Sequence, residues 1–329
     1  MRLNVILLFI LSLVFTSCAK TDEEEVRSTI AEAKYHLSSM DCSKAEDILD
    51  DISFQDDNPD YISIFASMQA CKAGYKEMDI LFGGNLDNLN SASLIASLAS
   101  FSSSNETVPS SEDFLNLNDA VTTLLSYDGT TEPSAIARNS KFGTKKSGDL
   151  SMQALYLLFV QLGKHFALYG NAGTDGGKGG DAQSFGNTCI FSYTASDAVE
   201  WVNANTLGTC VGPLDGSQGS DFLESPVTAA EIKTRLCYGV VYYNNMMDIL
   251  TNITLPGSDS LGDVGNIQTA LTVLMATAQG FETGTINDDP VSTNAISAVS
   301  AVRSQTACEA INIERIEKFY AIFFEGIYQ

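Results

Sequence analysis

Cysteine is the residue type with the most specific chemistry in this sequence of 329 residues, which contains seven cysteines. Cys18 stands near the N-terminus, and the other six form an even set. In an exported chain, an even set predicts up to three disulfides. No CxxC pair occurs and the chain has only two histidines, which disfavours a zinc site. The six are Cys42, Cys71, Cys189, Cys210, Cys237 and Cys308.

Helix geometry predicts the first pair among the fifteen sets of pairs that six cysteines allow. Cys42 lies twelve residues before Phe54, and Cys71 lies twelve residues after Pro59. At about 1.5 Å of rise per residue, an antiparallel hairpin that turns between Phe54 and Pro59 brings the two cysteines level. We therefore predict Cys42–Cys71.

The remaining two pairs follow from position along the chain. Cys189 and Cys210 flank one short predicted helix, so a local pair is expected. Cys237 then pairs with Cys308, at the start of the last predicted helix. The alternative is that some of the six are reduced and pack as small apolar groups.

Catalytic chemistry is poorly represented in the sequence. It contains no G-x-S-x-G, Walker A or H-E-x-x-H motif. Carboxylates are abundant, but nothing singles out two of them as a glycosidase-type pair. His165 falls in an apolar helix and is interpreted as a histidine at the edge of the core. We expect no enzyme activity and no cofactor.

Two stretches are candidates for binding a small ligand or an ion. Tyr242, Tyr243, Met246 and Met247 share a helix and could line a pocket, although such a stripe more often packs in a core. Residues 170–182 form a glycine-rich loop. Its centre resembles the opening of the calcium-binding nonapeptide of RTX proteins, which makes Asp175 and Asp181 weak calcium candidates; the alternative is a flexible loop.

The N-terminus carries an export signal. Arg2 precedes an apolar run over residues 3–15, and Thr16 and Ser17 are small residues directly before Cys18. This order resembles the lipobox of bacterial lipoproteins. The resemblance implies that residues 1–17 are cleaved and that Cys18 carries a diacylglycerol and an acylated N-terminus. The alternative is an ordinary cleaved signal with an incidental cysteine.

The resemblance also implies a location. Ala19 and Lys20 follow Cys18, and neither is the Asp that retains enterobacterial lipoproteins at the inner membrane. We therefore expect a lipid-anchored protein of the bacterial outer membrane that faces the periplasm or the cell surface. The chain has a formal net charge of −23, and loss of Arg2 with the signal makes it −24. Such a charge excludes nucleic acid and anionic headgroups as favoured partners.

The elements that must position these residues are predicted to be helices. Apolar residues recur at helical spacing, and the only extended candidate covers residues 189–193. The fold class is all-α: about ten helices in an antiparallel array, with an N-terminal half over residues 18–170 and a C-terminal half over 171–329, or one continuous domain. The predicted helices cover residues 21–40, 43–52, 59–71, 86–101, 113–125, 149–169, 197–205, 226–252, 267–279, 291–302 and 307–328.

The first helices resemble a tetratricopeptide repeat over about residues 22–75. Ala45 takes the small packing position of that family, and Pro59 lies just beyond the repeat. Met40 stands where a Gly is expected, and Cys42 replaces the aromatic residue of the turn. No second copy follows, so an array of repeats is not inferred. Further matching residues are Tyr35, His36, Leu37, Leu49 and Ile52.

These features support two hypotheses of function. The first is a non-catalytic lipoprotein that acts as a protein-interaction or assembly scaffold for an envelope protein partner, bound to the membrane through Cys18. The second is a component of the cell envelope that binds a small ligand or solute. A copurifying protein favours the first hypothesis, and a small molecule that raises the melting temperature favours the second.

Overall fold

The protein is all-α, as predicted. The computed structural model describes residues 22–75, 111–130, 133–170, 189–191, 193–205, 210, 228–252 and 295–325. Within these ranges there are ten α-helices and no strand. The helices are α1 (Asp22–Ser38), α2 (Cys42–Asp50), α3 (Pro59–Lys72), α4 (Glu112–Ser126), α5 (Ala135–Tyr169), α6 (Ser196–Asn205), α7 (Ala229–Asn252), α8 (Ala295–Ser300), α9 (Gln305–Glu309) and α10 (Ile313–Tyr320).

Helices α1, α2 and α3 pack around a small core of their own. Ala33 of α1, Ala45 and Leu49 of α2, and Tyr61 and Met68 of α3 are buried together. Pro59 begins α3, where its missing N–H has no helical partner to lose, and the Asn58 side chain caps Asp60 N and Tyr61 N. The small residue predicted at position 45 is therefore a core residue. The assignment of this unit to the tetratricopeptide family stays a prediction.

The second face of α3 joins this unit to the main core. Ile62, Ala66 and Ala70 belong to a larger apolar cluster that includes residues of α4, α5, α7 and α10. The cluster contains residues of both predicted halves of the chain, 18–170 and 171–329. A surface helix has a single apolar stripe, whereas a helix buried on two faces is apolar on most sides. Helix α3 is of the second kind, because its residues belong to both apolar clusters.

Helix α5, with 35 residues, is the longest of the described helices. Ser134 caps it, and the chain bends at Gly143, which has φ 76° and ψ 163°. Such a positive φ suits glycine and breaks the hydrogen-bonding ladder, so α5 consists of two helical segments. The second segment contains the apolar stretch 149–169 predicted as a central helix, and Leu155, Leu158 and Phe166 are fully buried there.

The C-terminal helices pack around α7. A capping box begins α7: Thr228 N donates to Glu231 Oε2, and Glu231 N donates to Thr228 Oγ1. The single helix predicted over residues 307–328 is wrong. Helix α9 ends at Glu309, and Asn312 caps α10, which runs into a π-helical turn at Ala321–Glu325. The short polar interval between Glu309 and Ile313 ends α9 and caps α10. The apolar residues on its two sides therefore do not follow one continuous helical spacing.

The six cysteines form three pairs at disulfide distance. The Cα–Cα distances are 5.7 Å for Cys42–Cys71, 5.3 Å for Cys189–Cys210 and 5.6 Å for Cys237–Cys308. These are the predicted pairs. One reason given for the third is corrected, because Cys308 lies in the separate short helix α9.

Several predictions lie outside the described residues. They are the signal over residues 1–17, Cys18, the helices over residues 86–101 and 267–279, and the glycine-rich loop with Asp175 and Asp181. Residues 189–191 and 193–195 form neither helix nor strand, so the extended candidate is not part of a sheet. Among the helices described here, none is long and apolar enough to cross a membrane.

Candidate functional site

A cavity of about 330 Å³ lies between α4, α7 and the turn that precedes α9. Its size falls at the lower end of the range for small-molecule sites. Apolar side chains such as Val121 and Leu125 of α4 form part of the wall. The polar residues that matter below are Asn118, Tyr238, Tyr242, Asn245, Arg303 and Gln305.

Helix α7 supplies one wall through helical periodicity. Tyr238, Tyr242 and Asn245 lie four and then three residues apart, so they share one face of the helix. The rings of Tyr238 and Tyr242 stack with centroids 6.0 Å apart and planes 22° apart. The Tyr242 hydroxyl donates to Asn118 Oδ1 of α4 at 3.1 Å. Burial raises the pKa of Tyr242 well above its ordinary value, so this hydroxyl stays a donor.

Two buried amides of α7 hold the turn that carries Arg303. Asn244 Nδ2 donates to the carbonyl oxygens of Val299 and Val302, each at 2.7 Å. Asn245 Nδ2 donates to the carbonyl oxygen of Arg303 at 2.9 Å. Three hydrogen bonds from these two side chains to backbone carbonyls thereby fix the turn against α7.

A cluster of charged side chains adjoins this wall, in which Asp248 and Arg138 are buried and Arg303 is 30% exposed. Arg303 Nη2 is 3.3 Å from Asp248 Oδ1, and the Asp248 side chain is only 4% exposed. Asp248 Oδ2 also accepts from Ala135 N at 2.7 Å, at the start of α5. Arg138 is 2% exposed, and its Nη1 donates to the carbonyl oxygen of Leu125 at 3.3 Å. Burial lowers the pKa of Arg138 and attraction to Asp248 raises it, and a guanidinium remains charged in either case.

Two polar atoms of the cavity-lining residues are buried without a hydrogen bond inside the described part of the chain. They are Arg303 Nε, a donor, and Gln305 Oε1, an acceptor. The orientation of Gln305 is fixed, because its Nε2 donates to the carbonyl oxygen of Thr234 and to Glu309 Oε1, each at 2.9 Å. Both atoms are closed off from solvent, so they carry the free-energy cost of burial without a partner.

The predicted pocket residues divide between this cavity and the core. Tyr242 lines the cavity, whereas Tyr243, Met246 and Met247 are buried and do not line it. Tyr243 packs instead against Phe319, Phe323 and Phe324, at centroid distances of 5.5 to 5.7 Å. The reason is that α7 is surrounded by other helices, so neighbouring residues on it face different partners.

His165 is a core residue, which corrects its prediction as a core-edge histidine. It is 4% exposed, and its Nε2 lies 2.9 Å from the Tyr320 hydroxyl, which donates to the carbonyl oxygen of Leu236 at 2.6 Å. A Cβ on Gly239 would collide with both groups, so this position requires glycine. Burial lowers the pKa of His165 to about 3, so the ring stays neutral. This arrangement is structural.

Sequence reasoning missed Asn118, Asn244, Arg303 and Gln305. The doublet Asn244–Asn245 inside an apolar helix was the one available signal, since buried amides need partners. In the described ranges, no group of three or more His, Cys, Asp or Glu residues could hold a metal ion. Comparison of the chain with protein-family models, curated proteins and solved structures finds no match.

Proposed function

We propose that this protein is a lipid-anchored lipoprotein of the bacterial cell envelope whose helical domain binds a small ligand in the cavity between α4, α7 and α9. The observation that carries the binding function is the cavity of about 330 Å³, whose wall combines the stacked rings of Tyr238 and Tyr242 with apolar side chains and Arg303. Ligand sites of this kind combine an apolar wall with a few placed polar groups. Binding without catalysis agrees with the lack of catalytic motifs in the sequence.

The envelope location is supported by two independent features. The apolar run before Cys18 has the order of a lipoprotein signal. Three cysteine pairs at disulfide distance suit an oxidising compartment outside the cytoplasm. A diacylglycerol and a third acyl chain exceed the two signals that stable anchoring needs.

The anchor is tested by lipid labelling and membrane fractionation. Cys18→Ala should abolish labelling and release the protein from membranes, whereas the control Lys20→Gln should leave both unchanged. Retention of the unlabelled Cys18→Ala protein in the membrane fraction would show that another anchor holds it.

The ligand function is tested by blocking the cavity. Thr122 is exposed on α4 and lines the cavity, so Thr122→Trp should fill the mouth while leaving the fold intact. Compounds that raise the melting temperature of the wild type should lose that effect in Thr122→Trp. The control is Asp113→Trp, an exposed position of the same helix that does not line the cavity. A compound that stabilises both variants equally would bind elsewhere.

The α1–α3 unit favours a second function, the scaffold predicted from the sequence. Tyr35 is 70% exposed on α1, opposite Ala33, which is buried in the core of that unit. An exposed aromatic residue is a common anchor at protein interfaces.

A photo-crosslinking residue at Tyr35 should trap a specific envelope protein in intact cells. The matched control is Ile136, an apolar residue 59% exposed on α5. The same crosslinked products at both positions would argue against a dedicated interface on α1.

A further inference from the structure

We infer that the ligand of this cavity is a small aromatic compound whose ring packs against Tyr238 and whose oxygen accepts a hydrogen bond from Asn118. The inference rests on the proposed binding function and adds the chemical class of the ligand. Three features of the cavity carry it: a half-buried ring that its neighbours hold in place, an amide of fixed orientation, and a volume that admits a substituted ring.

Tyr238 supplies aromatic surface to the cavity wall. Its side chain is half-buried and lines the cavity. Its ring stacks on Tyr242 with centroids 6.0 Å apart, and it meets the ring of Phe114 edge to face at 5.0 Å. These contacts restrict the ring before a ligand arrives, so little side-chain freedom is lost on binding. A ligand ring extends the cluster through the offset or edge-to-face contacts that aromatic pairs prefer.

Apolar neighbours continue the surface beside Tyr238. Val241 lies three residues along α7, on the same face of the helix, and is half-buried. Val121 and Leu125 line the cavity from α4. An apolar cavity of roughly 150 Å³ is sufficient to hold benzene, so a volume of about 330 Å³ accommodates a ring with a substituent. The wall therefore favours a ring compound over an inorganic ion.

Asn118 defines the polar group that the ligand carries. Its Oδ1 accepts from the Tyr242 hydroxyl at 3.1 Å, and this hydrogen bond fixes the orientation of the amide. The Asn118 Nδ2 is then the atom that donates to a ligand. The side chain is half-buried, and Nδ2 is not among the described polar atoms that are buried without a partner. A donor in this position pairs with an acceptor on the ligand, such as a carbonyl oxygen.

Isothermal titration with benzamide tests the inference. Benzamide combines an aromatic ring with a carbonyl oxygen, whereas cyclohexanecarboxamide carries the same amide on a saturated ring. A neutral probe is used because Arg303 already has Asp248 as a partner at 3.3 Å. We expect the wild type to bind benzamide about fivefold more tightly than cyclohexanecarboxamide, which corresponds to one aromatic pair. Thr122→Trp should abolish the binding of benzamide, because the indole fills the mouth of the cavity.

One variant assigns the preference for an aromatic ring. Tyr238→Leu keeps an apolar side chain and should bind benzamide and cyclohexanecarboxamide equally. The control is Tyr35→Leu, at an exposed tyrosine of α1, which should keep the wild-type preference. If Tyr238→Leu does not fold, the wild-type preference and the Asn118 variant below decide the matter.

A second variant assigns the hydrogen bond. Asn118→Asp keeps an acceptor for the Tyr242 hydroxyl but replaces Nδ2 with an oxygen. It should weaken the binding of benzamide about tenfold, because the ligand carbonyl then has no donor. Toluene has a ring but no acceptor, so its binding should be the same in Asn118→Asp and the wild type.

The outcomes separate this inference from the proposed function. Equal binding of benzamide and cyclohexanecarboxamide to the wild type would overturn the aromatic inference and leave ligand binding intact. An unchanged preference in Tyr238→Leu, or equal effects of Asn118→Asp on benzamide and toluene, would also overturn it. If neither amide binds while other compounds in the melting-temperature screen depend on an open cavity, the aromatic inference alone fails. If no compound depends on an open cavity, both proposals fail.

Discussion

His165 shows how burial sets the chemistry of a single residue. Its ring lies among Phe166, Phe191 and Tyr320, and its Nε2 contacts the Tyr320 hydroxyl. Because that hydroxyl donates to the carbonyl oxygen of Leu236, the histidine is the donor in this pair, which assigns its proton to Nε2. A protonated ring would gain a second donor and a charge in an apolar environment.

The first prediction concerns acid stability. Folding lowers the pKa of His165 from 6.5 to about 3. Below pH 6.5 this side chain is therefore protonated in the unfolded chain but neutral in the folded chain. Stability from this group is therefore lost as the pH falls from about 6.5 toward 3. Between about pH 7.5 and 5 the wild type should lose about 2 kcal/mol more than His165→Gln, which keeps a donor but does not titrate. Urea denaturation at both pH values measures this difference, and equal losses would contradict it.

The second prediction concerns Met40, which has a φ of 58° at the end of α1. This left-handed conformation strains a residue with a Cβ and suits glycine, the residue that the tetratricopeptide pattern has there. Met40→Gly should raise the free energy of unfolding by about 0.5–1 kcal/mol, net of the lost contact between Met40 Sδ and Cys71 Sγ. The control is Ser39→Gly, at a residue without positive φ, which should lower the free energy of unfolding. Chemical denaturation measures the free energy of unfolding of both variants. A lower value than the wild type in both would contradict strain at Met40.

At the scale of elements, buried carboxylates attach the chain before α6 to the C-terminal helices. Glu317 of α10 accepts from Thr194 N at 2.9 Å and Ala195 N at 2.6 Å. Glu325, in the π-helical turn, accepts from Ile190 N at 2.6 Å and the Tyr193 hydroxyl at 3.0 Å. Burial raises the pKa of Glu317, and these hydrogen bonds act in the opposite direction. The segment before α6 thus has its backbone donors satisfied by side chains more than a hundred residues away.

The third prediction follows from this attachment. Glu317→Ala leaves the N–H groups of Thr194 and Ala195 without acceptors next to buried residues, and should cost about 3 kcal/mol of stability. Amide hydrogen exchange should accelerate in α6 before it does in α1. The control is Glu314→Ala on the same helix, where the side chain is exposed. Similar costs for the two variants would show that the hydrogen bonds to Glu317 contribute little.

At the scale of the whole molecule, each disulfide pair joins elements that are already neighbours. Cys42–Cys71 lies within the α1–α3 unit, Cys189–Cys210 brackets α6, and Cys237–Cys308 joins α7 to α9. Each pair therefore strengthens one part of the fold. A long closed loop restricts the unfolded chain more than a short one, so the pair separated by 71 residues should contribute most.

The fourth prediction concerns removal of these pairs. On the chain-entropy relation, Cys42→Ala/Cys71→Ala should cost about 3.5 kcal/mol and Cys237→Ala/Cys308→Ala about 4.5 kcal/mol. Non-reducing peptide mapping of the protein purified without reductant should first show the three expected linkages. A Cys42 peptide linked to any cysteine other than Cys71 would contradict the α2–α3 hairpin.

The sequence by itself determined the class of the fold, most helix positions and the cysteine pairs. Helical periodicity and capping residues act within a few turns of the chain, so the start of α3 at Pro59 was predicted from the sequence alone. The pairing of Cys42 with Cys71 was predicted from equal chain lengths on either side of a turn between Phe54 and Pro59. The pair is at disulfide distance although α2 ends at Asp50, before Phe54.

Only the tertiary structure decided which polar groups are buried and which residues face the cavity. Tyr242 and Tyr243 are adjacent and chemically alike, yet one lines the cavity and the other packs against Phe319. Periodicity assigns a face to a helix that has one apolar side, but α7 is covered on most sides, and its pattern does not say which neighbour covers which face. Arg303 and Asn118 stand 185 residues apart in the sequence and meet at one cavity only because α4, α7 and α9 pack together.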